Sequence, residues 1–213
     1  MTESKDLLND DISALAQTLF EIGAVRFGDF TLHSGIKSPI YIDLRLLASF
    51  PQALRQAADA YAAILEKKAF DLLGATPLAG LPIGTAISLR MNKPLIYARP
   101  STKGYGTGKQ IEGRWEVGQR VVMVDDLITS GDSLLQGIGQ LREAGLVVTE
   151  AVVLLDRQQG GREALREQGV ALTSAMTLEQ ALEILIQQSK ITESQREEVL
   201  QVVGVGKIVP SKG

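Results

Sequence analysis

The sequence has no cysteine and a single histidine, His33, in 213 residues. Without cysteine there is no disulfide, no thiolate-bound zinc, no iron–sulfur cluster and no thiol nucleophile. With one histidine a His-Glu-x-x-His zinc site is impossible, and a Ser-His-Asp mechanism has only His33 to run through. Excess positive charge is missing as well: 22 Lys and Arg stand against 25 Asp and Glu, a formal net charge of −3. No general basic surface for nucleic acid exists, so a polyanion must be met at a local cationic site. No apolar run approaches the roughly 18 residues that span a bilayer. The opening MTESKDLLNDD is acidic, unlike a secretory or transit peptide. A cytoplasmic protein with neither membrane nor nucleic-acid partner is expected. Carboxylates, Lys and Arg, hydroxyls, backbone amides and hard metals such as Mg²⁺ remain for chemistry.

Hydrophobic residues make up 45% and charged residues 22% of the chain, as in a globular domain. The length suits one domain over residues 1–213. Ile12, Leu15, Ala16, Leu19 and Ile22 follow helical spacing, with Asp10 or Asp11 as the cap and Gly23 as the stop. The segment VRFGDFTLHSGIKSPIYIDLR reads as a hairpin broken at Ser34–Pro39. From Pro51 onward helical and apolar strand patterns alternate. Helices are expected over Pro51–Phe70, up to Met91, over Ser133–Ala144 and over Glu163–Gln168; strands are expected at DLLGA, PLIYA, RVVMVDD, VVTEAVVLLD and VALTSA. Thr177 with Gln180 forms a capping box, and Thr192 is again followed three residues on by Gln. Such alternation means an α/β fold, a mostly parallel sheet flanked by helices. The segment 1–45, which breaks the alternation, is expected to form a small N-terminal hood, and 204–213 a frayed tail. Arg99–Gly113, rich in Gly, Lys and Thr, reads as a long surface loop of the kind used as a lid.

Ligands of open α/β sheets bind at the carboxyl ends of the strands. There the sequence VVMVDDLITSGDS carries two adjacent carboxylates, Asp125 and Asp126, then Leu127 and Ile128. Thr129, Ser130, Gly131, Asp132 and Ser133 follow at the start of a helix. Hydroxyls and free amides at a helix N-terminus hold anions. Carboxylates accept hydrogen bonds from sugar hydroxyls, or hold Mg²⁺ through water. A phosphate cradle beside two hydroxyl acceptors suits a phosphorylated ribose. Other phosphate motifs fail: after Gly108-Lys109 stands Gln110 instead of Ser or Thr, and no G-x-G-x-x-G follows a strand.

This string resembles the phosphoribosyl-pyrophosphate (PRPP) motif of type I phosphoribosyltransferases. Together with FGDFTLHSGIKSPIYIDLR, RPSTKGYGTGKQIEG and AVVLLDRQQGG, it is similar to orotate phosphoribosyltransferases, and in particular to the transferase domain of UMP synthases. The resemblance covers about Ile12 to Gln188. It implies the type I fold and the conversion of orotate and PRPP to orotidine 5′-phosphate and pyrophosphate in UMP biosynthesis. It further implies Mg²⁺ held mainly through PRPP, with Asp125 and Asp126 reached through water, and a homodimer with shared active sites. Its implied catalytic residues are Lys103, Asp125 and Asp126. PRPP would be met by His33, Arg99, Lys103, Tyr105 and the run Asp125 to Ser133. Orotate would be met by Tyr41, Ile42, Thr129 and Arg157. Trp115 is expected to be structural. Three positions depart from the family: His33 and Pro100 stand where Lys is usual, and Ala79 where bacterial members carry Lys. The alternative reading is therefore a catalytically weakened PRPP- or nucleotide-binding paralogue with a regulatory or interaction role.

Overall fold

A computed structural model of the chain describes residues 3–31, 35, 37–99 and 110–204. In chain order the elements are α1 (Glu3–Glu21), β1 (Val25–Thr31), β2 (Lys37–Ile42), a 3₁₀ turn (Leu44–Ser49), α2 (Pro51–Leu65), β3 (Leu72–Ala75), α3 (Gly80–Met91) and β4 (Leu95–Ala98). There follow β5 (Ile111–Glu112), β6 (Arg120–Ile128), α4 (Asp132–Glu143), β7 (Val147–Asp156), α5 (Gly161–Glu167), β8 (Ala171–Thr177), α6 (Leu178–Gln187) and α7 (Glu193–Val203). Six strands form one sheet in the order β5-β4-β3-β6-β7-β8. All neighbours are parallel except the β4–β5 pair at the edge. The mostly parallel α/β fold expected from the alternating pattern is the one observed.

Side chains of a strand alternate between the two faces of its sheet, and that period divides the core in two. Leu73, Val122, Val124, Val152 and Leu154 pack with Leu15, Tyr61, Ile83 and Leu182, from α1, α2, α3 and α6. Their neighbours Leu72, Val121, Met123, Ala151 and Val153 pack on the other face with Leu134, Ile138, Leu141 and Leu165, from α4 and α5. Burial on both faces explains why these central strands read as apolar runs. Gly74 lets the layers meet there: a Cβ would lie 2.6 Å from Met123 Sδ and 2.8 Å from Val121 Cγ1.

Strands β1 and β2 form a separate antiparallel pair, with Val25 opposite Ile42 and Thr31 opposite Lys37. Helix α1 lies against them, and so does α7 from the far end of the chain. Both capping boxes are present, Thr177 with Gln180 and Thr192 with Gln195.

Several boundaries differ from the sequence pattern. The first helix begins at Glu3, not at Asp10 or Asp11, since the sequence ahead of Asp10 is rich in helix formers and has neither Gly nor Pro to stop it. Helix α2 stops at Leu65 instead of Phe70, and Lys68 beyond it pairs with Glu150. Ser38 and Pro39, expected in a break, lie in β2. Ile111 and Glu112, expected in the loop, form β5 because Ile111 is buried against the sheet while Tyr97 pairs with Glu112. The carboxylates of Asp125 and Asp126 lie inside β6, which runs on to Ile128.

A buried ion pair ties α5 to the end of β7. Asp156, 2% exposed, ends β7. Arg162 of α5 reaches it through Nε at 3.1 Å and Nη2 at 3.0 Å, and its Nη1 donates to the Leu172 carbonyl at 2.7 Å. Removing the cation leaves a desolvated carboxylate alone. Arg162→Ala is expected to lower unfolding free energy by about 2–3 kcal/mol, below the full cost of breaking a buried pair because the guanidinium is partly solvated. Urea denaturation checks this.

Candidate active site

The carboxyl ends of β3 and β6 border a cleft of about 270 Å³, lined by Thr76–Ala79 on one side and Asp125–Leu134 on the other. Strand β6 delivers its two acids to the floor of this cleft. Each carboxylate turns back on the chain: Asp125 Oδ1 accepts from the Asp126 amide at 3.0 Å, and Asp126 Oδ1 from the Leu127 amide at 2.8 Å. Both side chains lie among buried residues. Burial first, then the charge of Asp126, raises Asp125 from its ordinary 3.8 to about 8. Burial also raises Asp126, against which its backbone hydrogen bonds and the cation of Arg45 act. Two carboxylates so close and so poorly solvated cannot both ionise freely.

Beyond β6, Gly131 takes φ +90° at the N-terminus of α4, and no side chain caps that helix. Its first amides are left to an anion. Ser130 donates instead to Asp132 Oδ2 at 2.8 Å. The loop is braced from below by the turn after β7. The Arg157 amide donates to the Ile128 carbonyl at 3.0 Å and the Gly161 amide to the Thr129 carbonyl at 2.8 Å. Only glycine fits at 161, because a Cβ would lie 2.5 Å from Ile128 Cγ1 and 2.6 Å from the Thr129 oxygen. The sequence reading passed over Gly161; the pair Gly160-Gly161 opening a helix was its only signal.

The expected site residues divide into groups. Asp125 to Ser133 come together in the cleft, and Ala79 lies in the facing wall. Arg157 does not line the cleft; its backbone amide is tied to the Ile128 carbonyl. It makes no pair with Asp156, whose carboxylate is held by Arg162. Its Nε is buried with no hydrogen-bond partner among the described residues, and burial lowers its pKa. It remains a cation, and an unmatched one. Arg99 is elsewhere: its guanidinium pairs with Glu112 at 3.1 Å, and its carbonyl accepts from Gln140 at 3.4 Å. The Tyr41 ring stacks obliquely on Phe30 at 5.5 Å, with the Arg26 guanidinium 5.1 Å from its centre. Ile42 packs into the core beside Leu155 and Met176. Neither side chain lines the cleft. Trp115 packs against the core face below α4, as a structural aromatic should. His33, Pro100, Lys103, Tyr105 and Lys109 lie outside the described residues. A residue missed in the sequence, Arg45, is held by Asp43 through Nε at 2.6 Å and Nη2 at 2.8 Å, and its charge bears on Asp126.

Among the described residues the cleft is lined by three carboxylates, Asp125, Asp126 and Asp132, and by no cation. No group of three or more His, Asp or Glu able to hold a metal occurs among them either. Two carboxylates fit a hard divalent ion only as water-mediated partners, with most of its ligands coming from a substrate.

A mostly parallel sheet, an acid pair closing its central strand and an uncapped helix after it define a phosphoribosyltransferase of type I. Orotate phosphoribosyltransferase of Pyrobaculum aerophilum is 41% identical over 172 residues, 80% of this chain and 89% of that protein. The solved UMP synthase of Leishmania donovani matches at TM-score 0.82 and 41% identity, covering 90% of this chain and 42% of that one. The structure of the Aeropyrum pernix orotate phosphoribosyltransferase matches at TM-score 0.73 and 38% identity, covering 84% of this chain and 99% of that one. No family model matches the chain. The chain belongs to the orotate phosphoribosyltransferase family.

The raised Asp125 has a consequence for stability. Between 3.8 and about 8 the folded protein keeps a proton that the unfolded chain gives up. Asp125 therefore favours folding most at low pH, and this contribution is lost as pH rises through that window. Asp125→Asn is expected to melt several degrees above wild type at about pH 9, with the gap closing toward pH 4. Thermal melts of both proteins across this range check the sign.

Proposed function

We propose that this chain transfers the phosphoribosyl group of PRPP to orotate, giving orotidine 5′-phosphate and pyrophosphate in UMP biosynthesis. Family membership supports the reaction, and one observation carries it: the uncapped N-terminus of α4 and the acid pair share one cleft, and Arg157, whose buried Nε has no partner among the described residues, lies on the turn that braces its loop. The amides and hydroxyls of Thr129–Ser133 take the 5-phosphate. Asp125 and Asp126 accept hydrogen bonds from the ribose hydroxyls, so the sugar is held at both ends. Arg157 supplies a fork of donors to the orotate carboxylate, which replaces the partner its buried Nε lacks. Thr129 lies between the two and reaches the pyrimidine edge.

In the reaction the bond from ribose C1 to pyrophosphate breaks as N1 of orotate bonds to C1. Positive charge develops on the sugar and negative charge on the leaving group. The acid pair faces the first. The second needs cations that the described walls of the cleft do not provide. We assign them to the segment 99–110, with Lys103 opposite the pyrophosphate, Arg99 exchanging its exposed Glu112 partner for it, and His33 and Tyr105 completing the PRPP contacts. Exposed pairs such as Arg99–Glu112 are weak, so the exchange costs little. Mg²⁺, bound chiefly by PRPP, supplies the remaining neutralisation of the pyrophosphate. Tyr41 and Ile42 then act on the base through the backbone of β2, since their rings and methyl groups are engaged elsewhere.

A cleft with acids and no cation also fits a site completed by a second copy. Leu78 and Leu89, 77% and 80% exposed, stand at the two ends of α3. We assign this face to a homodimer in which the segment 99–110 of one subunit serves the cleft of the other.

Purified protein with Mg²⁺, PRPP and orotate is expected to consume orotate, followed by its near-ultraviolet absorbance. Failure at high enzyme concentration would return the reading to a binding paralogue. Lys103→Ala should lower kcat about 10²–10³-fold, as loss of a preorganised donor does, while Arg157→Ala should act mainly on the KM for orotate. If sites are shared, mixing these two chains under conditions of subunit exchange restores activity that neither has alone; no recovery despite proven exchange sinks the shared site.

A further inference from the structure

Tyr61 heads the fully buried side chains of the molecule by size, with 0% exposure. The face of α2 that presents it is otherwise small: Ala53, Ala57, Ala58 and Ala62 are also buried. The ring fills the space those alanines leave against the sheet, and phenylalanine would fill it equally. The hydroxyl is what packing does not explain, because burying it costs free energy unless it finds partners. Its proton is donated to the backbone carbonyl of Asp125 in β6. There β6 runs beside β7 in one register, with Asp125 opposite Val153 and Leu127 opposite Leu155.

We propose that Tyr61 is a positioning residue whose hydroxyl bridges α2 to the Asp125 carbonyl of β6, and so fixes the Asp125–Asp126 step against the ribose. Both acids are buried at the end of β6 and line the cleft, so a shift of their backbone moves both carboxyl groups. Tyr61 holds that step from α2, a helix that lines no part of the cleft. On the opposite side Gly80 closes on the same residue, where a Cβ would sit 3.0 Å from the Val124 oxygen and 3.2 Å from Asp125 Oδ1. The backbone of the acid pair is thus held between two helices. This proposal rests on the reading of the pair as the acceptor of the ribose hydroxyls.

The test is Tyr61→Phe in the full chain, which keeps the ring and removes the bridge. Binding of PRPP with Mg²⁺ and without orotate is measured by calorimetry, and KM values by steady-state kinetics. Affinity for PRPP is expected to fall about 10-fold, the lower end of what loss of an outer hydrogen-bond partner costs at a polar site. The KM for orotate should stay within about twofold, because Arg157 is braced separately through Ile128. A lower melting temperature with unchanged PRPP affinity would show that the hydroxyl serves the core alone, and would overturn the proposal. If the wild-type protein itself binds no PRPP, the functional reading has failed, an outcome distinct from equal binding by both proteins.

Discussion

The burial of two adjacent carboxyl groups, Asp125 and Asp126, is the constraint around which the site is arranged. Two adjacent carboxylates in the buried end of a central strand are unfavourable to folding, and the elements nearest to them are those that limit the cost. Each acid accepts from a backbone amide of its own strand. Arg45, itself fixed by Asp43, brings positive charge toward Asp126 from the 3₁₀ turn after β2. Tyr61 and Gly80 hold the backbone from α2 and α3.

The N-terminus of α4 follows another logic. Its unsatisfied amides must be held in place although no side chain caps the helix. The turn after β7 performs this task through the Arg157 and Gly161 amides. A Cβ at position 161 would crowd Ile128 and the Thr129 carbonyl and so displace the loop. The Asp156–Arg162 pair, at the end of β7 and on α5, keeps that brace against the sheet.

The pattern of the sequence revealed much of this. The motif from Asp125 to Ser133 was legible because a four-residue apolar lead, two acids and a hydroxyl-glycine turn occur together and only one end of a strand can place them so. The alternation of faces in β3, β6 and β7 was legible as uninterrupted apolar runs. Less so were the residues that act through the backbone. Tyr61 looks like any core aromatic in a helix, Gly161 like a turn glycine and Arg45 like a surface cation. Their roles depend on contacts 30 to 80 positions away, which no local period encodes. The edge strand Ile111–Glu112 was hidden for a similar reason, since a two-residue strand has no periodicity and only its pairing with β4 defines it.

The absences at the start of the sequence acquire a structural meaning in the cleft. A protein without cysteine and with one histidine has carboxylates, amides and cations to work with, and this fold separates them. The acids and amides are built into the sheet and the helix behind it, where burial makes them directional. Among the described residues the cations lie outside the cleft walls. Such a separation suits a reaction whose substrate carries many negative charges and whose product, pyrophosphate, must leave. Cations fixed permanently in the walls would hold pyrophosphate as firmly as PRPP. Walls whose described residues carry no cation leave the acids and amides to meet the sugar and do not themselves hold the leaving group.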